Sequence, residues 1–139
     1  MTAPPSRFPA LSDAEWRTRL DDLAFKVTRQ GGTERPFTHD HFPPGPAVFH
    51  CLCCDAPLFD AARKYAEGCF GWPAFSEPVS PDCLQEHQDR SWCMCRTEVR
   101  CANCDAHLGH VFDDGPPPTG LRYCINGVAL RHEPKRQPE

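Results

Sequence analysis

The sequence lacks the features that would place the protein in a membrane or on a nucleic acid. No apolar run approaches the roughly 20 residues that a membrane-spanning helix needs. The first residues do not show the basic and then apolar segments of a signal peptide. The net charge is −4 with histidine neutral, so no excess of positive charge attracts a phosphate backbone. We therefore expect no membrane and no nucleic-acid partner, and a cytoplasmic location.

The sequence also has few long periodic apolar runs, which argues against a helix bundle. It has 16 prolines and 9 glycines instead, and these residues are typical of short strands joined by turns. The length of 139 residues leaves room for one domain with a modest core, whereas two domains would both be undersized. We expect a flexible Pro-rich tail over 1–10, a single domain over 11–131 and a polar C-terminal tail over 132–139.

One helix is predicted near the N-terminus. Ser12 and Glu15 have the spacing of a capping box. The apolar residues of one helical face are Trp16, Leu20 and Leu23. Glycines at 31–32 end the segment. We interpret this helix as a packing element and assign it no chemistry.

Short strands are predicted in the rest of the chain. Apolar and β-branched residues favour strands at 47–50, 111–112 and 123–130. Residues 95–100 alternate between apolar and charged side chains, which predicts a half-buried strand.

Ten cysteines are many for this length. Without a sign of export, they are better explained as metal ligands and redox thiols than as a disulfide scaffold. A Cys-x-x-Cys turn directs both sulfurs inward, and two such pairs complete a tetrahedral zinc site. The predicted ligands are Cys51, Cys54, Cys101 and Cys104. Four thiolates leave no position open for a substrate, so we expect a structural zinc. The alternatives are buried or redox cysteines, a site that uses Cys53, or a site that uses Cys93 and Cys95.

The region after the second cysteine pair has the residues of a reactive thiol site. A thiol becomes a nucleophile as its thiolate, which a nearby imidazole or arginine favours. Arg122 is two residues from Cys124 and shares its face if the segment is a strand, while His107 and His110 can approach across a Pro-rich turn. Asn126 can orient an oxygen atom. The alternative is an inert buried Cys124 with histidines that serve only packing.

A loop at 68–75 holds aromatic residues between glycines, a pattern that indicates a tight turn presenting its rings. Trp72 and Phe75 then either bind a ligand or fill the core. Cys69, in the same loop, is a candidate redox partner.

Together these motifs resemble the methionine-R-sulfoxide reductases of the B type. The matching segments are Gly32-Thr33-Glu34, Pro36-Phe37-Thr38, the Cys51/Cys54 pair, Leu58-Phe59, Lys64-Tyr65, Gly71-Trp72-Pro73-Ala74-Phe75, Arg96-Thr97-Glu98-Val99, the Cys101/Cys104 pair, His107-Leu108-Gly109-His110-Val111-Phe112, Asp114-Gly115-Pro116, Thr119-Gly120 and Arg122-Tyr123-Cys124-Ile125-Asn126. Each is weak alone, but they occur in order over roughly residues 25 to 131 without large gaps, and their ordered sum is specific.

The resemblance implies a mainly β fold. It would have two small antiparallel sheets braced by the four-cysteine zinc site, with one or more helices in the N-terminal third. It also implies a substrate, which is methionine R-sulfoxide in oxidised proteins, and a monomeric enzyme.

The resemblance further implies roles for the site residues. Cys124 would attack the sulfoxide sulfur and become a sulfenic acid, and Arg122 would hold it as a thiolate. The groups around the sulfoxide oxygen would be His107, His110 and Asn126. Trp72, with Phe75 beside it, would bind the substrate. Cys69 would then form a disulfide with Cys124, and thioredoxin would reduce it.

The sequence departs from the family pattern around the second thiol. Phe70 is inserted after Cys69, where the family commonly has Gly-Cys-Gly-Trp-Pro. Cys93 occupies a usual glycine position and Cys95 follows, so either is an alternative resolving thiol. The two remaining cysteines, Cys53 and Cys83, are expected to be buried and inert.

Two other functions fit parts of the pattern. One is a zinc-anchored binding module without catalysis, in which Trp72 and Phe75 form a ligand cage. The other is a hydrolase in which Cys124, a histidine and Asn126 form an acyl-enzyme without any reductant.

Overall fold

The computed structural model describes residues 11–39, 42–43, 45–65, 71–89, 96–115, 117 and 119–135. Within these residues, two helices precede two antiparallel sheets. The three-stranded sheet has the order β2-β1-β8, built from β1 (Ala47–Cys51), β2 (Pro57–Asp60) and β8 (Leu130–Pro134). The five-stranded sheet has the order β3-β7-β6-β5-β4, built from β3 (Ala74–Phe75), β4 (Leu84–Asp89), β5 (Arg96–Cys101), β6 (His107–Phe112) and β7 (Arg122–Ile125). The predicted mainly β fold with two sheets is confirmed.

The N-terminal region folds as α1 (Asp13–Arg19) and α2 (Asp22–Gln30) rather than as one helix. The capping box is present, because Ser12 Oγ accepts the Glu15 amide at 3.2 Å and Glu15 Oε1 accepts the Ser12 amide at 3.1 Å. Neither helix has the length and apolar character needed to cross a bilayer.

The prediction of one continuous helix is wrong because Asp21 starts a second one. Its carboxylate accepts the Ala24 amide at 2.8 Å and caps α2. The resulting turn rotates Leu23 away from the packed face, and Leu23 is therefore 37% exposed. Gly31, with a φ of 70°, ends α2 as expected.

The predicted strand over 123–130 is two strands in different sheets. A short 3-10 helix, Gly127–Ala129, separates β7 from β8. Asn126 uses its side chain to bind the backbone of other segments, and a Cβ at Gly127 would lie 1.8 Å from the His39 carbonyl oxygen. The chain therefore turns here instead of continuing as a strand. β8 then runs through Pro134, three residues into the tail predicted from residue 132.

The hydrophobic core lies between the two sheets. Phe75 of β3 stacks on Phe59 of β2 with ring centroids 4.3 Å apart, and it meets Phe49 of β1 edge-on at 5.2 Å. Leu58 and Leu108 are fully buried beside them. The core holds the five-stranded sheet in place, and the site described next lies on that sheet.

Candidate active site and metal centre

Residues 51–56 and 101–106 fold into the same turn, and we call them the first and the second knuckle. In the first knuckle, Cys51 donates its amide to the Ala56 carbonyl and accepts the Asp55 amide, at 2.8 Å each. The second knuckle makes the same two hydrogen bonds at 2.9 and 2.8 Å. The aspartate of each knuckle has a positive φ, 69° and 66°, which a short polar side chain tolerates. Each turn thereby directs its two cysteine sulfurs to one side.

The two knuckles face each other across the gap between the sheets. Their four cysteines, Cys51, Cys54, Cys101 and Cys104, place all sulfur atoms within 4.8 Å of one another. Two sulfur pairs across the gap are 3.6 Å apart. Thiolates about 2.3 Å from a central zinc ion in a tetrahedron would be about 3.8 Å apart. The four predicted ligands thus fit a tetrahedral metal ion that joins the sheets.

Arg29 of α2 contacts this metal centre from outside. Its Nη2 donates to the Cys104 carbonyl at 3.0 Å and lies 3.6 Å from Cys104 Sγ. The guanidinium also stacks over the Trp16 ring at 4.5 Å. A cation at this place offsets part of the negative charge that four thiolates bring to a divalent ion.

The other described cysteines outside the pocket do not join the ligand set. Cys53 lies beside it, and hydrogen bonds from Cys104 and Cys51 lower the pKa of its thiol. Burial raises the pKa of the Cys83 thiol, which donates to the Ser80 carbonyl at 3.1 Å. The three candidate resolving thiols, Cys69, Cys93 and Cys95, lie outside the described residues.

The register of β5, β6 and β7 brings reactive side chains onto one face of the sheet. His110 lies directly opposite Cys124, and Glu98 lies opposite His110 on the other side. Residues opposite each other in an antiparallel pair point to the same face. Gly109 permits the close approach of β7, because a Cβ there would lie 2.0 Å from the Cys124 carbonyl oxygen. Cys124 and His110 are therefore side-by-side neighbours.

A pocket of about 210 Å³ opens above this face. Five of the predicted residues line it: Trp72, His110, Arg122, Cys124 and Asn126. A pocket with apolar walls and a few convergent polar groups is the usual form of a small-ligand site.

A carboxylate behind the pocket fixes His110. Its Nε2 lies 2.8 Å from Asp89 Oδ2, and Arg96 Nη2 lies 3.3 Å from the same oxygen. Because an ionised carboxylate only accepts, His110 Nε2 donates, and Nδ1 is the ring nitrogen not used by this bond.

His107 lies behind His110 and does not line the pocket. Its Nδ1 is 2.6 Å from Glu98 Oε2, and its ring centroid is 5.7 Å from that of His110. A bulge in the pairing of β5 with β6 places His107 opposite Arg100. Burial lowers the pKa of His107 and outweighs the opposite effect of Glu98. His107 Nε2 is buried and makes no hydrogen bond within the described part of the chain.

Arg122 is held by a carboxylate that the sequence did not indicate. Its Nε and Nη2 donate to the two oxygens of Asp114 at 2.9 and 3.0 Å, and its guanidinium lies 4.6 Å from the centre of the Phe112 ring. The hydrogen bonds from Arg122 lower the pKa of Asp114. Asp114 thus orients the Arg122 charge beside Cys124.

The backbone of Glu34 positions two further pocket residues. The Trp72 indole donates to the Glu34 carbonyl at 3.0 Å. Asn126 Oδ1 accepts the Glu34 amide at 3.0 Å, and Asn126 Nδ2 donates to the Leu108 carbonyl at 2.9 Å. These bonds connect the Gly-Thr-Glu segment to the pocket wall.

Phe75 does not reach the pocket, so its predicted role in substrate binding is contradicted. It is 0% exposed and packs in the core. Ala74 pairs with Cys124 and Phe75 pairs with Tyr123, so Phe75 points to the sheet face opposite Cys124. Core filling, the alternative interpretation of Phe75, is the correct one.

Sequence comparison agrees with this geometry. Residues 20–134 match the model of the SelR domain. A protein of Azotobacter vinelandii named peptide methionine sulfoxide reductase MsrB is 55% identical over 86% of this chain and 90% of its own length. A protein of the same name from Agrobacterium fabrum is 52% identical over 88% of this chain and 91% of its own length.

A solved structure shares the fold at lower similarity. The Mis18 Yippee-like domain superposes with a TM-score of 0.52 at 17% identity, over 66% of this chain and 99% of that one. This likeness concerns the fold alone. The SelR match and the identity to the two reductases decide the family: the chain belongs to the SelR-domain family of B-type methionine sulfoxide reductases.

Proposed function

We propose that this chain reduces the R epimer of methionine sulfoxide in oxidised proteins to methionine. The observation that carries the proposal is the pairing of Cys124 with His110 in one pocket beside the Trp72 indole. A thiol, a proton-carrying imidazole and an aromatic wall are what a sulfoxide with a methyl substituent requires. The names of the relatives support the same reaction.

The reaction starts with Cys124 as nucleophile. Its thiolate attacks the sulfoxide sulfur, an S–S bond forms, and the protonated oxygen leaves as water. Water then attacks the Cys124 sulfur, the S–S bond breaks, a proton is released, and Cys124 becomes a sulfenic acid. Two electrons pass from the Cys124 sulfur to the substrate sulfur, which leaves as the thioether of methionine. The Arg122 guanidinium, oriented by Asp114, favours the thiolate form.

Protons reach the sulfoxide oxygen through His110. Oxygen on sulfur leaves poorly until it is protonated, so a positioned acid accelerates the step. Asp89 holds the His110 ring in place through Nε2, which leaves Nδ1 free of that bond. His107, which Glu98 orients, takes a position behind His110. The second amide hydrogen of Asn126 donates to the sulfoxide oxygen.

Trp72 binds the substrate methyl group. Its indole N–H is held by the Glu34 carbonyl, which fixes the ring plane while the apolar face remains available to a methyl group. The chirality at sulfur then decides whether the oxygen points to His110 or away from it.

A second thiol completes the cycle. The Cys69 thiol attacks the Cys124 sulfenic acid, forms a disulfide and releases water, and reduced thioredoxin then returns both thiols while it becomes oxidised. A reducing compartment such as the cytoplasm supplies this reductant, and a monomer suffices, since every proposed residue comes from one chain. In Cys69→Ser we expect one stoichiometric reduction without turnover; unchanged turnover would assign the resolving role to Cys93 or Cys95.

The metal of the four-cysteine centre is zinc with a structural role. Four thiolates saturate a tetrahedral ion, so zinc supplies a cross-link between the sheets and takes no part in the reaction. A metal assay by atomic absorption on the purified protein tests its identity.

A stereospecific assay tests the function. We expect oxidation of thioredoxin with a peptide carrying methionine R-sulfoxide, none with the S epimer, and none in Cys124→Ser for either epimer. A binding module would consume no thioredoxin, and a hydrolase would form an acyl-enzyme without it. Either of those results would overturn the proposal.

A further inference from the structure

The segment from Thr33 to His39 leads away from the pocket and contains neither a helix nor a strand. Thr33 lines the pocket, and most side chains of the segment are exposed. Its one buried residue is Glu34, whose side chain is 0% exposed. A glutamate is rarely buried unless hydrogen bonds compensate its carboxylate. The contacts of Glu34 therefore show what holds this segment in place.

The Glu34 carboxylate binds the turn that follows Asn126. Its Oε1 accepts the Val128 amide at 2.7 Å, and Val128 belongs to the 3-10 helix Gly127–Ala129. At the other end of the segment, the His39 carbonyl packs against Gly127, where a Cβ would approach its oxygen to 1.8 Å. The segment is thus attached to this 3-10 helix at two points.

The backbone of Glu34 holds two pocket residues at the same time. The Trp72 indole donates to its carbonyl and its amide donates to Asn126 Oδ1, at 3.0 Å each. A displacement of Glu34 therefore affects both. In the proposed reaction, Trp72 binds the methyl group and Asn126 faces the oxygen, which are two substituents of one sulfur atom. Their separation has to match that sulfur.

We propose that Glu34 is a positioning residue whose side-chain length sets the separation between the Trp72 ring and the Asn126 amide. The proposal rests on the proposed reductase function and adds a residue that does not itself line the pocket. The carboxylate fixes the segment to the 3-10 helix, and the backbone of the same residue passes this position on to both partners. The reach of the side chain to the Val128 amide is then the property that the reaction needs.

Two substitutions separate the length of the side chain from its charge. Glu34→Gln loses the charge but keeps an oxygen that can accept the Val128 amide. Glu34→Asp keeps the charge but is one methylene shorter, so it reaches that amide only if the segment moves. Both are needed because His39 Nδ1 lies 3.6 Å from the same Glu34 oxygen and would respond to a lost charge.

The measured quantities are kcat and KM for N-acetyl methionine R-sulfoxide, per folded protein from circular dichroism. A displacement of about 1 Å can cost about 10²-fold, so we expect kcat/KM of Glu34→Asp to fall by about that factor, through both a higher KM and a lower kcat. Glu34→Gln should keep most of the wild-type kcat/KM. Phe59→Ala is the control for lost stability, since Phe59 packs between the sheets, and its folded fraction should keep both constants.

Double variants show whether Glu34 acts through its two partners. In a Trp72→Ala background, Glu34→Asp should no longer raise KM, and in an Asn126→Ala background it should no longer lower kcat. Residues that act through one another are not additive, whereas a general loosening of the fold would add to each partner's effect.

Three results would overturn the positioning role: wild-type kcat/KM in Glu34→Asp, a larger loss in Glu34→Gln than in Glu34→Asp, or a full effect of Glu34→Asp in both backgrounds. A wild-type protein that reduces no methionine R-sulfoxide would instead overturn the reductase function.

Discussion

The two knuckles form the same turn, yet the strands that follow them have different roles in the fold. The first continues as Pro57-Leu58-Phe59-Asp60 and the second as His107-Leu108-Gly109-His110. The leucines are equivalent, and both are fully buried. Where the first strand fills the core with Phe59, the second has a glycine that lets β7 approach. The same turn is therefore followed by a core-packing strand in one sheet and by the strand of the candidate active site in the other.

The last positions of the two strands differ in the same way. Asp60 accepts the Ala62 amide at 2.9 Å and starts a 3-10 helix, so it has a local structural task. His110 lies opposite Cys124 and is fixed by Asp89. The same turn is thus followed by different side chains in the two strands, and substitutions at paired positions should separate stability from activity.

Loss of the metal ion should give the largest effect of the changes considered, and it should destabilise the strands after both knuckles equally. A bound structural ion contributes folding free energy directly, on the order of 10 kcal/mol in small zinc domains. We expect Cys51→Ser and Cys101→Ser to lose the ion and the cooperative thermal transition alike, although only the second knuckle leads to the reactive strand. Calorimetry with a metal-release assay measures this, with Cys83→Ser as the control cysteine. A Cys51→Ser protein that folds without the metal would show that metal binding at the first knuckle does not contribute to the stability of the fold.

Phe59→Ala and His110→Ala should have opposite effects. Loss of a buried phenylalanine costs about 3–5 kcal/mol, so Phe59→Ala should unfold at lower denaturant concentration while its folded fraction keeps kcat. His110→Ala should lower kcat about 10²–10⁴-fold, as for a lost acid catalyst, with a small change in stability. Urea unfolding and kcat are measured on both proteins. A His110→Ala enzyme with normal kcat would remove His110 from the reaction.

The knuckles were predictable because local spacing alone defines them. The hydrogen bonds of a Cys-x-x-Cys turn involve residues within six positions, so the ligands could be read before the sheets were known. The Pro-rich turn indicated that His110 can approach Cys124, but spacing could not give their direct pairing, because strand register is set by long-range pairing. The same register decides between the two interpretations of Phe75, because it turns the ring to the core face.

The acidic partners of the site could not be predicted from the sequence. Asp89 reaches His110 from 21 positions away, through strand pairing across the sheet. Asp114 and Glu98 lie nearer in the chain to Arg122 and His107, but acidic residues are common and mostly exposed. Asp21, which divides the N-terminal helix, resembled an ordinary polar helix residue until its side chain was seen to cap α2.

Arg29 should distinguish the second knuckle from the first, because it contacts Cys104 alone among the ligands described. Groups that support metal ligands typically contribute 10–100-fold to affinity. We expect Arg29→Met to release the bound metal ion to a chelator about tenfold faster, with the fold retained. Arg17→Met is the matched control, since Arg17 stacks on Phe25 at 4.1 Å without reaching the metal centre. Equal release rates in the two variants would contradict a role of the Arg29 charge.

His107 should make the reactive strand sensitive to acid in a way that Pro57, its counterpart, cannot. Burial lowers the pKa of His107 below its ordinary value of 6.5, so the unfolded chain binds the proton more readily than the folded one. Stability is therefore complete above pH 6.5 and falls as the pH decreases toward the folded pKa. We expect His107→Gln to flatten this acid limb in urea unfolding between pH 7 and pH 5. An equally steep limb in the variant would assign it to other groups.

The smallest effect is expected at the outer aspartates of the knuckles. Asp55 pairs with Arg131 at 2.7 Å, and Asp105 pairs with Arg100 at 3.5 Å. Arg131→Ala should leave the thermal midpoint unchanged, because a pair in water gains little over its hydrated partners. Arg100 also binds Glu98, the carboxylate that orients His107, so Arg100→Ala should alter the pH profile of kcat without a similar loss of stability. Identical pH profiles of kcat in the two variants would mean that the exposed charges of both knuckles are equally remote from the reaction.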